Sequence, residues 1–155
     1  MRSESRYYQG KFYPKNPQKY KGDVKGIVYR SGWELKFMKW CDLNEMTLEW
    51  SSEEFVIPYY YPLDGRMHRY FPDFWVKQKC NDGTIKEYLI EIKPQSEIAE
   101  PKKQARVTPA YIKRVNTFVK NTAKWKAAEM FCEQKRKQGS TIEFIKLNEH
   151  DLHIS

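Results

Sequence analysis

Two strand-like runs joined by a turn constrain the fold of this chain more than any other feature. Arg66 to Lys79 (RMHRYFPDFWVKQK) and Lys86 to Lys93 (KEYLIEIK) are separated by Asn81-Asp82-Gly83-Thr84. An Asp-Gly pair favours a tight hairpin turn, so the two runs read as a central antiparallel hairpin. Side chains alternate faces along a strand, which puts Glu91 and Lys93 on one face and Ile90 and Ile92 on the other. Pairing about the turn allows Asp73 to lie directly across from Glu91.

Other elements follow from periodicity and punctuation. Trp33, Phe37 and Trp40 or Cys41 fall at helical spacing, and Ser31 with Glu34 makes an S-x-x-E start, so a helix is predicted from 32 to about 43. Thr47 to Trp50 and Phe55 to Tyr61 read as strands, the second bent or at an edge because of Pro58. Pro94 stops the second hairpin strand, and a polar connector, Gln95 to Val107, follows. Pro109 suits the first helical position behind Thr108. Ile112, Val115, Phe118 or Val119, Thr122, Trp125 and Phe131 then trace one face of a long helix that Gly139 can end. Thr141 to Leu147 reads as a last strand, and a strand–helix–strand succession normally leaves its two strands parallel. The expected fold class is therefore α/β: a helix, a three-strand antiparallel meander, a helix and a strand around a mixed central sheet. Residues 1–30 mix Tyr, Lys, Gly and Pro and read as a basic, aromatic-rich arm or a wrapped loop, with residues 31–155 as a single domain.

A chain of 155 residues, 40% of them apolar and five of them Trp, fits one such domain and can fill its core. The formal net charge of +8 points to an anionic polymer or surface as partner. Its distribution is uneven: residues 1–30 hold eight Lys and Arg against two acids and residues 102–138 eleven against two, which leaves the centre acidic. Cys41, Cys80 and Cys132 are too scattered for a zinc site and suit reduced thiols. No apolar run approaches the roughly 18 residues of a membrane span, and the N-terminus lacks the apolar stretch of a signal peptide. A soluble, unexported protein is expected.

The acidic centre carries the chemistry. An isolated E-x-K such as Glu91–Lys93 is also what a half-exposed strand produces. Asp73, however, sits among Phe71, Phe74, Trp75 and Val76, where a free carboxylate is costly unless it is paired or binds a cation. Facing carboxylates at 73 and 91 repel each other. A divalent cation such as Mg²⁺, which accepts one or two carboxylates with waters and phosphate oxygens, removes that repulsion. The alternative is that Asp73 caps a turn and pairs with an arginine such as Arg69. Glu34 meets the demand of a capping box and, compatibly, can complete a metal's shell or orient a water. For phosphodiester hydrolysis Lys93 would stabilise negative charge or help deprotonate the water. Arg30 can hold a phosphate, and His68 and Arg69 can bind phosphate, His68 also serving to protonate the leaving group, although solvated or structural roles also suit them.

The order of these motifs, FPD with Asp73, then EIK with Glu91 and Lys93, after an upstream RSxxE glutamate, resembles the PD-(D/E)XK (restriction-endonuclease-like) nuclease superfamily. The RSxxE helix is similar to that of phage resolving endonucleases and transposon-end-cleaving endonuclease subunits. YKGD, IVYRSGWELKFMKWCD, LEWSSEE, IPYYYPLDGRMHRYFPDF and LIEIKP, spanning about residues 9 to 95, resemble more closely the head-completion nucleases of contractile-tailed phages. The resemblance implies a catalytic set of Glu34, Asp73, Glu91 and Lys93, with metal held by Asp73, Glu91 and Glu34. The metal would be one or two Mg²⁺, with Mn²⁺ as a substitute, and no organic cofactor. It further implies action on DNA ends, flaps or branches during head completion after packaging. It places the protein in the infected bacterial cytoplasm and then the virion head or neck, beside portal or neck proteins.

DNA binding is expected on the long helix through Lys113, Arg114, Lys120 and Lys124, next to Lys126; Lys135, Arg136 and Lys137 suit a solvated helix end instead. The arm, with Lys11, Lys15, Lys19, Lys21 and Lys25 interleaved with Tyr8, Phe12, Tyr13 and Tyr20, can wrap DNA or dock on the domain's own surface. Nothing resembles a base-reading module. Two other readings remain open: a structural DNA-binding head or neck protein that retains an inactive nuclease fold, and a resolving or transposase endonuclease subunit.

Overall fold

The computed structural model describes residues 9–152. In chain order its elements are β1 (Gly10–Lys11), β2 (Val28–Tyr29), α1 (Gly32–Leu43), β3 (Thr47–Ser52), β4 (Ile57–Tyr61), β5 (Arg66–Tyr70), β6 (Phe74–Lys79), β7 (Ile85–Ile92), α2 (Gln95–Ile98), α3 (Pro109–Lys137) and β8 (Glu143–Leu147). The central sheet has the order β3-β6-β7-β8, antiparallel until the last pair, where β7 and β8 run parallel across the α3 crossover. This is the expected mixed sheet.

The central hairpin forms in the expected register, Phe74 facing Ile90 and Lys79 facing Ile85. Its connection spans residues 80–84, where Gly83 takes φ +87° and Asp82 Oδ1 accepts from both the Thr84 amide and hydroxyl. The run from Arg66 to Lys79 is not one strand, as its composition had suggested. It breaks at Phe71-Pro72-Asp73. Pro72 has no N–H for a ladder, so the chain leaves the sheet there. β5 instead joins β4 in a separate two-stranded sheet in which Pro58 faces Arg69.

Both long helices start where the sequence places them. The Ser31 hydroxyl accepts from the Glu34 amide at 3.1 Å, and Glu34 Oε1 accepts from the Arg30 amide, one residue before the cap. The Thr108 hydroxyl accepts from the Tyr111 amide at 3.1 Å. α3 ends in a Schellman arrangement: Gly139 at φ +98° lets the Gly139 and Ser140 amides reach the carbonyls of Arg136 and Lys135.

Apolar side chains cover both sheet faces. Phe37, Met38 and Cys41 of α1 pack with Trp50, Phe74, Val76, Ile90 and Ile92 on one side. On the other, Trp125, Ala128 and Cys132 of α3 pack with Leu89, Phe144 and the β4–β5 residues Ile57, Tyr59 and Tyr70. The buried positions of α3 are Asn121, Trp125, Ala128 and Cys132, so the stripe expected from Ile112 onward is corrected: of its residues only Trp125 is buried, and Ile112 is 48% exposed. A 29-residue helix spans about 43 Å, whereas β8, with five residues, spans only about 17 Å. The first turns of α3 therefore run past the sheet and hold no buried residue.

From residue 9 on, the N-terminal segment is wrapped on the domain, not extended from it. Phe12, Tyr20, Ile27 and Tyr29 share the core cluster of α1, so no packing boundary falls at residue 31. β1 pairs with β2, and Tyr20 bridges to Trp50. Asp42 anchors the segment, accepting from the Lys15 amide at 2.8 Å and the Asn16 amide at 2.9 Å. Lys19 bonds the carbonyls of Asp42 and Asn44, and Lys21 pairs with Glu49 at 2.8 Å. Tyr13 stays 77% exposed, while Tyr8 lies outside the described residues. Removing Asp42 takes away the shared acceptor of the Lys15 and Asn16 amides. Asp42→Ala is expected to destabilise the fold by about 3 kcal/mol, since hydrogen bonds to charged groups contribute roughly 1.5–3 kcal/mol each. The check is a lower urea midpoint at unchanged m-value; an unchanged midpoint would show that the segment adds nothing to stability.

Among the described residues all three cysteines are free, and no helix is long and apolar enough to cross a membrane.

Candidate active site

Asp73 and Glu91 face each other one step beyond the last paired residues of the central hairpin, Phe74 and Ile90. Alternation along β7 sends Ile90 and Ile92 to the α1 side and Leu89 to the α3 side, so Glu91 belongs to the α3 face. Each carboxylate is fixed through one oxygen. Asp73 Oδ2 accepts from the Ile92 amide at 2.8 Å, and Glu91 Oε1 accepts from the Tyr70 hydroxyl at 2.6 Å. Lys93 Nζ stands 3.8 Å from Glu91 Oε2. Glu34, from the first turn of α1, closes the other side. Arg30, Ser31, Glu34, Asp73, Glu91 and Lys93 together line a polar cleft of about 200 Å³. Larger hollows of about 490 and 610 Å³ lie along α3. The first is lined by no acid and the second by Glu97 and Glu100, neither of them buried, so chemistry and not size marks the site.

The electrostatics show the strain of this arrangement. Burial, then the charges of Glu91 and Glu34, push Asp73 well above the usual carboxylate range. Burial raises Glu91 too, against the opposing effects of the Tyr70 bond, Lys93 and Lys124. Glu34 is raised by burial and by Glu53, with the Arg30 amide acting the other way. A cation among these groups would relieve all three. Among the described residues, however, no group of three or more His, Cys, Asp and Glu is placed to hold a metal ion. The three-carboxylate metal shell expected with Glu34 is therefore not assembled. What the cleft offers is the Asp73–Glu91 pair with Glu34 beside it, a hard-oxygen donor set of the kind that suits Mg²⁺, which keeps several waters.

The predicted residues divide into two groups. Glu34, Asp73, Glu91, Lys93 and Arg30 come together. His68 and Arg69 do not line the cleft: His68 Nε2 lies 2.6 Å from Asp64 Oδ2 with Tyr59 and Tyr61 around it, and the Arg69 guanidinium lies over Phe71. Asp73 bonds the backbone and not Arg69. Lys113 and Arg114 line the hollows along exposed α3, and Lys120 lies over the Tyr61 ring. Lys124, also expected to bind DNA, lies within electrostatic reach of Glu91 and Asp73. Its Nζ lies 5.5 Å from the centre of the Tyr70 ring, and burial lowers its pKa while Glu91 and Asp73 oppose that change.

Two contributors were missed. Tyr70 orients Glu91, and nothing in RYFPD signals it. Glu53 pairs with Arg30 through Nη2, adds negative potential at Glu34 and Glu91, and donates its amide to the Asp73 carbonyl at 3.1 Å. At φ +52° it is the one non-glycine with positive φ among the described residues. Such strained backbone gathers at functional sites. Two successive acids ending a strand-like run, Glu53 and Glu54, were the available signal, but the backbone twist that turns Glu53 toward the cleft is not local information.

A sheet of this order, bearing acids and a lysine on its central hairpin between two helices, defines an endonuclease fold. Residues 44–143 match the family model described as TnsA-like endonuclease N terminal, and the chain belongs to that restriction-endonuclease-like family. It is also 45% identical over 132 residues to the head completion nuclease of Enterobacteria phage T4, covering 83% of this chain and 85% of that protein. No solved structure matches the chain.

Proposed function

We propose that the protein is a Mg²⁺-dependent DNA endonuclease of the PD-(D/E)XK type that trims ends, flaps or branches of DNA during phage head completion. Mn²⁺ would serve as a substitute metal, and portal or neck proteins would be neighbours. It would act in the infected host's cytoplasm and then in the virion. The observation that carries the reading is the facing of Asp73 and Glu91 beside Lys93 in one polar cleft. The name of the 45% identical phage relative supports the biological setting.

In this reading Asp73 and Glu91 hold the metal, Ile92 N–H and Tyr70 O–H keep their carboxylates oriented, and Lys93 holds the proton inventory and charge at the attacking side. When bound, Mg²⁺ polarises a phosphoryl oxygen and lowers the pKa of a coordinated water. Glu34 orients a water at the opposite wall, and Arg30 exchanges Glu53 for a phosphate oxygen. The exposed cations Lys113, Arg114 and Lys120 follow the DNA backbone, so binding weakens as salt rises through counterion release.

The test is incubation of the pure protein with linear, nicked and branched DNA, with and without Mg²⁺. Cleavage is expected only with metal. If DNA binds but no substrate is cut, a structural head or neck protein with an inactive nuclease fold is the better reading.

The site also links pH to stability. The raised carboxylate pKa values contribute stability below the unfolded values, near pH 4, and that stability is lost as pH rises through the folded values. Without divalent ions the melting temperature is expected to fall as pH rises above about 4, where the unfolded carboxylates ionise. Mg²⁺ is expected to raise it more at pH 7 than at pH 5, as ligand linkage requires. A Mg²⁺ effect of equal size at both pH values would contradict binding at these carboxylates.

A further inference from the structure

Lys124 reaches the candidate site from α3, the element that the PD-(D/E)XK-like motif order does not draw on. Two tyrosines of the β4–β5 sheet support a short ladder of α3 ammonium groups: Lys120 Nζ lies 5.7 Å from the Tyr61 ring centre and Lys124 Nζ 5.5 Å from that of Tyr70. The same Tyr70 donates its hydroxyl to Glu91. Lys124 is thus held beside the carboxylates by a residue that also fixes one of them. It interacts with both Glu91 and Asp73, and forms no ion pair within 4 Å among the described residues. Lys93 approaches Glu91 from β7 and Lys124 from α3, so the Asp73–Glu91 pair has a cation on two different elements.

We propose that Lys124 is a second catalytic lysine, which contacts a non-bridging oxygen of the scissile phosphate and stabilises the negative charge that develops there. This rests on the endonuclease reading above and extends it. In the hydrolysis a water oxygen forms a bond to phosphorus and one bridging P–O bond breaks. The leaving oxygen keeps the electron pair and takes up a proton, and the water's proton passes to solvent. The products are a phosphomonoester and a hydroxyl. Lys124 takes part through its charge alone, which accounts for an ammonium held over an aromatic ring and within electrostatic reach of two carboxylates. Lys120, one helical turn away, then meets the next part of the same strand.

The experiment compares wild type, Lys124→Met and Lys124→Arg in single-turnover cleavage at saturating DNA with Mg²⁺, beside the DNA Kd. Methionine keeps an unbranched side chain of similar bulk without the charge, and arginine keeps the charge. Lys124→Met is expected to lose about 10²-fold in saturated rate, as for removal of one charge-stabilising donor, with Lys124→Arg recovering most of it. Equal rates in all three proteins, or a Lys124→Met defect seen only in Kd, would overturn the proposal. So would equal losses in the two variants, which would mark Lys124 as a packing residue. Lack of metal-dependent cleavage by wild type would instead refute the endonuclease reading itself, and the two failures are therefore distinguishable.

Discussion

Asp73→Asn is expected to abolish the proposed metal-dependent cleavage, with a loss on the order of 10³-fold or more, because it removes charge from the carboxylate pair that would hold the metal. The asparagine carbonyl can still accept from the Ile92 amide, which Asp73 now meets at 2.8 Å, so the fold at the end of β6 is preserved. The variant also loses the repulsion that pushes Asp73 and Glu91 upward. Metal-free Asp73→Asn is accordingly expected to melt higher than metal-free wild type at neutral pH, and to lose most of the stabilisation by Mg²⁺. Functional sites commonly trade stability for activity in this way. Thermal melts and cleavage assays on the same preparation decide the matter. Unchanged cleavage would remove Asp73 from the site, and a lower metal-free melting temperature would show that its charge is satisfied by something other than a cation.

Lys93→Met is expected to fail differently. Lys93 lies 3.8 Å from Glu91 and lines the cleft, but is not among the residues proposed to hold the metal. Removing its charge is expected to cost about 10²–10⁴-fold in rate, the range for a positioned proton-transfer or charge-stabilising group. It leaves both carboxylates free, so Mg²⁺ binding is retained or tightened. Raising Mg²⁺ therefore does not restore the rate, whereas it would for a variant that only weakens metal affinity. A rate within a few fold of wild type, or full recovery at high Mg²⁺, would assign Lys93 to metal binding or to the solvated face of β7.

What could be read in advance followed rules of short range. A period of two placed Glu91 and Lys93 on one face, and the turn chemistry around Asp82 and Gly83 set the register that brings Asp73 opposite Glu91. Ser31 and Thr108 announced their helices because a cap is a bond between near neighbours. The family resemblance added Glu34, whose helix cap alone would have left it an ordinary surface glutamate. Where the reading failed, the deciding partner was distant. The break at Pro72 takes β5 to a second sheet with β4. For the N-terminal segment, where an arm and a wrapped loop were both open, Asp42 and a shared core decide for the wrapped loop. On α3 several faces had enough apolar residues to be buried, and the sheet beneath chose the one through Trp125 and Ala128.

The sequence by itself thus determined the central hairpin, its register, both helix starts and the identity of the acidic centre, because each depends on backbone geometry repeated over a few residues. Only the tertiary structure decided which groups surround that centre. Tyr70 and Lys124 arrive from other elements, and Glu53 turns toward Arg30 through a positive φ at the end of β3. The physical reason is that buried charge is balanced across the whole neighbourhood. The members of that neighbourhood are set by how the sheet, α1 and α3 pack, and not by their order along the chain.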